Sequence, residues 1–267
     1  MQAGLRAGDY ILTVDGIKIE SIEELNKIIE GSKAGLLAVD VRRNGETFTC
    51  KIQPIKDKIT EKRKIGVLVR DSVSGVGTIT YIDKKTGRFG ALGHSISNES
   101  KEKMQIKSGE VYECSVVGVN KGVRGRAGEL RGMFLNDKQL GFAQKLCNCG
   151  IFGEILGDYR AENIEEVIAS SVDVKPGKAY IYSTINGVCP QKYDVEIVKV
   201  DKFNKENKNY VIKITDEALI AETGGIVQGM SGSPIIQEDK LVGAITHVFL
   251  NDPTRGYGIS IETMLQE

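Results

Sequence analysis

The feature that most constrains this chain is its punctuation. Short runs rich in Val, Ile and Tyr are cut every few residues by Gly, Asp or Asn, and the sequence holds 31 glycines but only five prolines and no tryptophan. Runs of that length, bounded by turn residues, read as strands. Ile65–Val69, Val76–Ile82, Arg88–His94, Val111–Val119, Ala179–Ile185, Tyr193–Val200 and Tyr210–Ile214 are the clearest. Asp83-Lys-Lys-Thr-Gly87 reads as a hairpin turn, and Ile164–Val172 fits either a short helix or a strand. Gly118–Gly132 is rich in glycine and carries Lys121, Arg124, Arg126 and Arg131, but it lacks the Gly-Lys-Ser/Thr ending of a phosphate-binding loop. It reads as glycine turns between short strands. Roughly ten short strands with turns between them predict a barrel or a pair of barrels.

Charge and cysteine content exclude several classes. Lys+Arg and Asp+Glu both number 36, so no basic excess points to nucleic acid. No apolar run approaches the ~18 residues that span a bilayer. The chain as given is expected to be soluble, with any exporting or membrane segment upstream of Met1. Cys50, Cys114, Cys147, Cys149 and Cys189 are odd in number and scattered, unlike a disulfide framework. Cys147-Asn-Cys149 is the only close pair. A metal site needs more ligands than it offers, and the chain has only two histidines. Reduced structural thiols are expected, with no metal and no cofactor.

Residues 1–56 form a first unit. Ala3-Gly-Leu-Arg-Ala-Gly-Asp-Tyr-Ile-Leu-Thr-Val-Asp-Gly16 reads as a turn, a strand and a turn. Ser21-Ile-Glu-Glu24 has capping-box spacing, and Leu25, Ile28 and Ile29 then share one face of a short helix. Two strands follow around the turn Arg43-Asn-Gly-Glu46. This order and the Gly-Leu-x-x-Gly-Asp-x-Ile string resemble the second part of a PDZ domain, an α+β module that binds extended peptides by strand addition. The resemblance implies a truncated domain, its carboxylate-binding front upstream of Met1, and therefore weak or no peptide binding. The charged stretch 57–64 reads as a linker, and 65–267 as the second domain.

The chemistry is concentrated in Gly225-Ile-Val-Gln-Gly-Met-Ser-Gly-Ser-Pro-Ile-Ile236. The grammar is a glycine turn carrying a hydroxyl, then a strand. The amides of Gly229 and Ser231 can be aimed at one point beside the Ser231 hydroxyl, as a developing oxyanion requires. The string resembles the Gly-Asp-Ser-Gly-Gly-Pro loop of trypsin-like serine proteases, with Met230 for Asp and Ser233 for the second Gly. A serine needs a base and the base needs an orienting group. His94, ending Gly90-Ala-Leu-Gly-His94, is the candidate base. His247, on the strand after Leu241-Val-Gly, is expected to line the substrate cleft. For the acid, residue pattern alone separates Asp216 only barely from Asp194, and a surface aspartate is the plainer reading.

Gly-Ala-Leu-Gly-His94, Thr-Asp216 and Thr223-Gly-Gly-Ile-Val-Gln-Gly-Met-Ser-Gly-Ser-Pro together resemble the SpoIVB peptidase family, as does the PDZ half in front. The resemblance covers nearly all of the chain. It implies a mainly β fold, a trypsin-like double β-barrel serine peptidase preceded by a PDZ domain, with His94, Asp216 and Ser231 as the triad. Asp216 beside His94 would then raise the imidazole pKa. The resemblance further implies a sporulation protease exported from the forespore to the space between its two membranes. There it cleaves itself and a membrane-anchored regulator of an intramembrane protease, so that a late sigma factor is activated. Two alternatives stand beside this reading: a catalytically idle PDZ-type adaptor or peptide-binding protein, and a cysteine hydrolase using Cys147 or Cys149.

Overall fold

A computed structural model describes residues 4–33, 35–96, 106, 108–157 and 167–267. The chain divides into two compact units, with the boundary in the chain between Ser74 and Gly75.

The first unit is a four-stranded antiparallel sheet and one helix. Its strands are β1 (Tyr10–Val14), β2 (Ile17–Lys18), β3 (Leu37–Arg43) and β4 (Glu46–Ile52), in the spatial order β2-β1-β3-β4, with helix α1 (Ile22–Gly31) between β2 and β3. Both hairpins turn through two residues with positive φ, Asp15-Gly16 and Asn44-Gly45, which matches the right-handed twist of the strands. The Ser21 hydroxyl accepts the Glu24 amide, and the Glu24 carboxylate reaches back to the amide of Glu20. Leu25 and Ile29 bury the apolar helix face against Val14, Val39, Val41 and Ile52.

The expected linker is not a free connector. Ile55–Lys56 (β5) pairs with Arg63–Lys64 (β6) as a small ribbon. The turn between them is tied by Asp57, whose carboxylate accepts the amides of Ile59 and Thr60 and the Thr60 hydroxyl. These bonds hold the Asp57 carboxyl well below the usual range. The expected strand at Ile65–Val69 is also absent. Ile65, Val67 and Val69 instead lay alternate side chains on the first unit's core without joining a sheet. By compactness the first unit runs to Ser74, ten residues past the end of the expected linker.

The second unit holds two sheets. One contains β7 (Ile79–Ile82), β8 (Arg88–Ala91), β9 (Gly109–Asn120), β10 (Glu129–Cys147) and β11 (Gly150–Ile155), ordered β7-β8-β11-β10-β9 as a half-barrel. The glycine-rich stretch before β10 is a turn, as expected, but the strands on either side are long and not short. They stay paired through repeated register shifts, which bend a strand without ending it.

The other sheet is a closed barrel. It contains β12 (Ile168–Ala169), β13 (Gly177–Ser183), β14 (Gln191–Val200), β15 (Tyr210–Ile214), β16 (Pro234–Gln237), β17 (Lys240–Phe249) and β18 (Asp252–Ser260). Six strands run β17-β16-β13-β14-β15-β18, and β18 pairs back onto β17 to close the ring. The short β12 lies parallel at β17. The expected element at Ile164–Val172 is described only from Val167 and is this strand. Ile181, Ile197, Ile212, Ile214, Ile235 and Ile245 alternate inward and fill the barrel to full burial. Helix α2 (Glu217–Thr223) precedes the Ser231 loop, and α3 (Ile261–Leu265) follows β18.

Candidate active site

Ser231 stands in a turn between the end of α2 and β16, and the turn is held almost wholly by backbone. The Met230 amide donates to Val227 O and the Ser233 amide to Met230 O, which winds the segment tightly. The Gly232 amide donates to Ile245 O, and the Ile245 amide returns the bond to Ser233 O, so the turn is pinned to β17. From the other side, the Thr78 amide donates to Ser231 O, the Thr78 hydroxyl to Gly229 O, and the buried Thr80 hydroxyl to Gly232 O.

Two glycines are needed for this winding. Gly229 has φ +99° and Gly232 has φ +95°, where a Cβ is disfavoured. At Gly232 a Cβ would also lie 2.1 Å from Thr78 O and 2.6 Å from the Leu92 amide nitrogen. The amides of Gly229 and Ser231 have no acceptor among the described residues. They flank Met230, whose own amide is used. Two unpaired donors beside a half-buried hydroxyl make an anion-stabilising arrangement.

His94 follows β8 through a strained bend. Leu92 has φ +68° without being glycine, and Gly93 has φ +69°. Such conformations persist only where the surroundings enforce them. A Cβ on Gly93 would sit 2.9 Å from both Thr246 Cγ2 and Ile259 Cγ2, so the bend presses directly on the barrel. Thr246 is the residue whose carbonyl accepts the Ser231 hydroxyl at 2.8 Å. The serine turn and the His94 bend thus share Thr78, Leu92 and Thr246 as neighbours.

The His94 ring is held by a backbone carbonyl. Nδ1 lies 2.8 Å from Ser95 O. A carbonyl only accepts, so Nδ1 carries the proton and Nε2 keeps its lone pair. Burial pushes the imidazole pKa below 6.5, and the Ser95 carbonyl opposes this in part. The direction is opposite to the upward shift expected from a carboxylate beside it. His247 packs its ring on His94, with centroids 4.8 Å apart and planes at 42°. Desolvation of the ring first, then repulsion from His94 and Lys208, pushes the His247 pKa down to about 4, although the residue keeps an exposed edge. No hydrogen bond joins Ser231 to His94 in this arrangement; the hydroxyl is parked on Thr246 O.

Asp216, the acid that the family resemblance implies, makes local bonds in this structure. It is the N-cap of α2: one carboxylate oxygen accepts the Leu219 amide at 2.9 Å and the other the Asp194 amide at 3.4 Å. No hydrogen bond or ion pair links it to His94; on the Nδ1 side of the ring that place is taken by Ser95 O. The physical reason is local. Thr215-Asp216 follows β15 where a helix begins, and an aspartate there satisfies the helix's orphan amides first. Ser95 is the site residue that the sequence does not single out, because a backbone carbonyl carries no residue-type signal. The hydrogen bonds of Cys147 and Cys149 run to each other and to Glu267, and among the described residues none reaches the serine turn.

A closed barrel beside a half-barrel, with a serine on a glycine turn whose flanking amides are unpaired, defines the class: a double β-barrel serine peptidase. The family model described as SpoIVB peptidase S55 matches residues 61–265, and a PDZ domain model matches residues 1–43. The chain belongs to the SpoIVB peptidase S55 family and is a serine peptidase, a hydrolase of peptide bonds. A putative zinc metalloprotease of Lactococcus lactis subsp. lactis is similar over 108 residues, at 31% identity, covering 38% of this chain and 24% of that protein. The chain thus spans about a quarter of the length of that curated relative. Among the described residues, no helix is long and apolar enough to cross a membrane.

Proposed function

We propose that Ser231 is the nucleophile, His94 its general base, and the Gly229 and Ser231 amides the oxyanion hole. The observation that carries this is the pair of unpaired amides flanking Met230 beside the Ser231 hydroxyl. On substrate binding the hydroxyl leaves Thr246 O and turns to His94 Nε2. Catalytic hydrogen bonds that are loose in a free enzyme tighten in the reacting complex. His94 takes the serine proton as Oγ attacks the peptide carbonyl, and returns it to the leaving amine. Asp216 enters as a positioning residue, holding the start of the helix that leads into the serine loop. Its role as triad acid is what the family resemblance implies, and Asp216→Asn separates the two readings, as argued below.

The biological setting that we propose is sporulation signalling. The enzyme cleaves itself and a membrane-anchored regulator of an intramembrane protease, in the space between the forespore membranes, and so activates a late sigma factor. Family membership supports this reading. The experiment has two parts. A fluorophosphonate probe is expected to label Ser231 in the folded chain and to leave Ser231→Ala unlabelled. Incubated alone, the wild-type chain is expected to acquire new termini by mass spectrometry that Ser231→Ala does not. Labelling without new termini would leave the peptidase in place and remove self-cleavage; no labelling would return the chain to the idle-adaptor reading.

A further inference from the structure

Cys147 and Cys149 lie outside the serine site, and their geometry divides them into two roles. Cys147 ends β10, Cys149 sits in the two-residue turn, and Gly150 opens β11 opposite Cys147. The two Sγ atoms are 2.9 Å apart. Cys147 is half-buried and accepts the Cys149 amide on its sulfur at 3.4 Å. Cys149 is buried, and its thiol donates to Glu267 Oε1 at 3.2 Å. Glu267 is in turn held by Lys145. The half-buried sulfur is the more accessible of the two, and the buried one, whose thiol pKa burial pushes up, has a carboxylate in contact.

We propose that Cys147 and Cys149 form a reversible dithiol–disulfide site, oxidised by exchange with a small-molecule disulfide. Cys147, its proton lost to water, attacks one sulfur of the incoming disulfide through Sγ, forming a mixed disulfide and releasing one small thiolate. Cys149 gives its proton to Glu267, attacks Cys147 Sγ and expels the second small thiolate. Two protein thiols lose two electrons and two protons, and the incoming disulfide is reduced to two thiols. A separation of 2.9 Å closes to the ~2.05 Å of a disulfide by side-chain rotation. A metal reading fits less well. The two sulfurs and Glu267 do lie within 4.8 Å of one another. Two thiolates on tetrahedral zinc, each at about 2.3 Å, stand roughly 3.8 Å apart, and Glu267 is already paired with a cation.

The test uses the full chain, folded and reduced, treated with oxidised glutathione, quenched with acid and mapped by differential alkylation and mass spectrometry. Wild type is expected to show one Cys147–Cys149 bridge that dithiothreitol reverses, while Cys50, Cys114 and Cys189 remain thiols. Cys149→Ser is expected to stop at a glutathione adduct on Cys147. Glu267→Gln should form that adduct at the wild-type rate but close the bridge more slowly, by roughly 10²-fold. Fluorophosphonate labelling of Ser231 reports that each variant is folded. Wild type that stops at the adduct, keeps both thiols, or bridges to Cys114 or Cys189 overturns the proposal. So does zinc that blocks oxidation of wild type and is lost from either Cys→Ser variant.

Discussion

Ser231, His94 and Asp216 carry three separate predictions, because each side chain makes different bonds. Ser231→Ala and His94→Ala should each lower turnover on the order of 10⁴-fold or more with the fold intact, and the double change little further, since nucleophile and base act as a unit. Ser233→Ala should keep most activity: its buried hydroxyl has no hydrogen-bond partner among the described residues, so removing it strands no other polar group there. Asp216→Asn keeps a good helix cap and removes the charge. With the carboxylate spent on the Leu219 and Asp194 amides, that variant should keep most activity, whereas Asp216→Ala loses about 1 kcal/mol of stability. If Asp216→Asn is folded yet as inactive as Ser231→Ala, the carboxylate serves His94 during turnover. The pH profile follows from burial of the ring. His94 must be neutral to accept a proton, and its pKa lies below 6.5, so activity should survive to lower pH than an unshifted histidine allows. His247→Gln should change the Michaelis constant and leave an acidic limb in place; His94→Gln should remove the limb with the activity. An acidic limb centred above 6.5 in the wild type would contradict the environment described here.

At the scale of elements, the serine turn is a wedge between β7, the His94 bend and β17, and its two glycines differ in what they face. A Cβ at Gly232 meets backbone at 2.1 and 2.6 Å, which cannot yield without moving the Thr78 segment. The three atoms nearest a Cβ at Gly229 all belong to the Leu130 side chain, at 3.0 to 3.1 Å. Gly232→Ala should therefore cost about 2 kcal/mol or more and take the activity with it, while Gly229→Ala should cost less, though both carry positive-φ strain. Urea midpoints at unchanged slope would measure the difference; equal losses would mean that φ alone sets the cost. The legibility of elements in the sequence follows the same logic. Helix α1 was readable from Ser21 and the spacing of Leu25, Ile28 and Ile29, because cap and apolar face are local signals. β10 was not, since its glycines and bulges resemble turns until a partner strand on each side keeps them extended. Ile65–Val69 reads as a strand because a half-buried alternating run looks the same whether or not it pairs.

For the molecule as a whole, the two histidines tie stability to pH. Both have folded pKa values below the unfolded 6.5, so the unfolded chain binds more protons in that range. Their contribution is fully present above pH 6.5 and is lost as pH falls from there toward about 4, the folded value of His247. Carboxylates such as Asp9, Asp40 and Asp57 are lowered as well, and they titrate beneath that window. The denaturation midpoint should therefore decline between pH 6.5 and 4, and the double change His94→Gln, His247→Gln should flatten that decline. A slope unchanged in the double variant would place the acid sensitivity elsewhere. The sequence by itself determined the strand-rich class, the PDZ-like order of the first unit and the serine turn, and with only two histidines it narrowed the proposed base to His94 or His247. These rest on short-range signals: apolar alternation, capping spacing and glycines at positive φ. Only the tertiary structure decided the boundary at Ser74, the packing of His247 on His94 and the parking of Ser231 on Thr246. It also decided that Asp216 caps a helix while Ser95 holds the imidazole. Those depend on which distant segments meet, and on a backbone carbonyl whose position no residue type encodes.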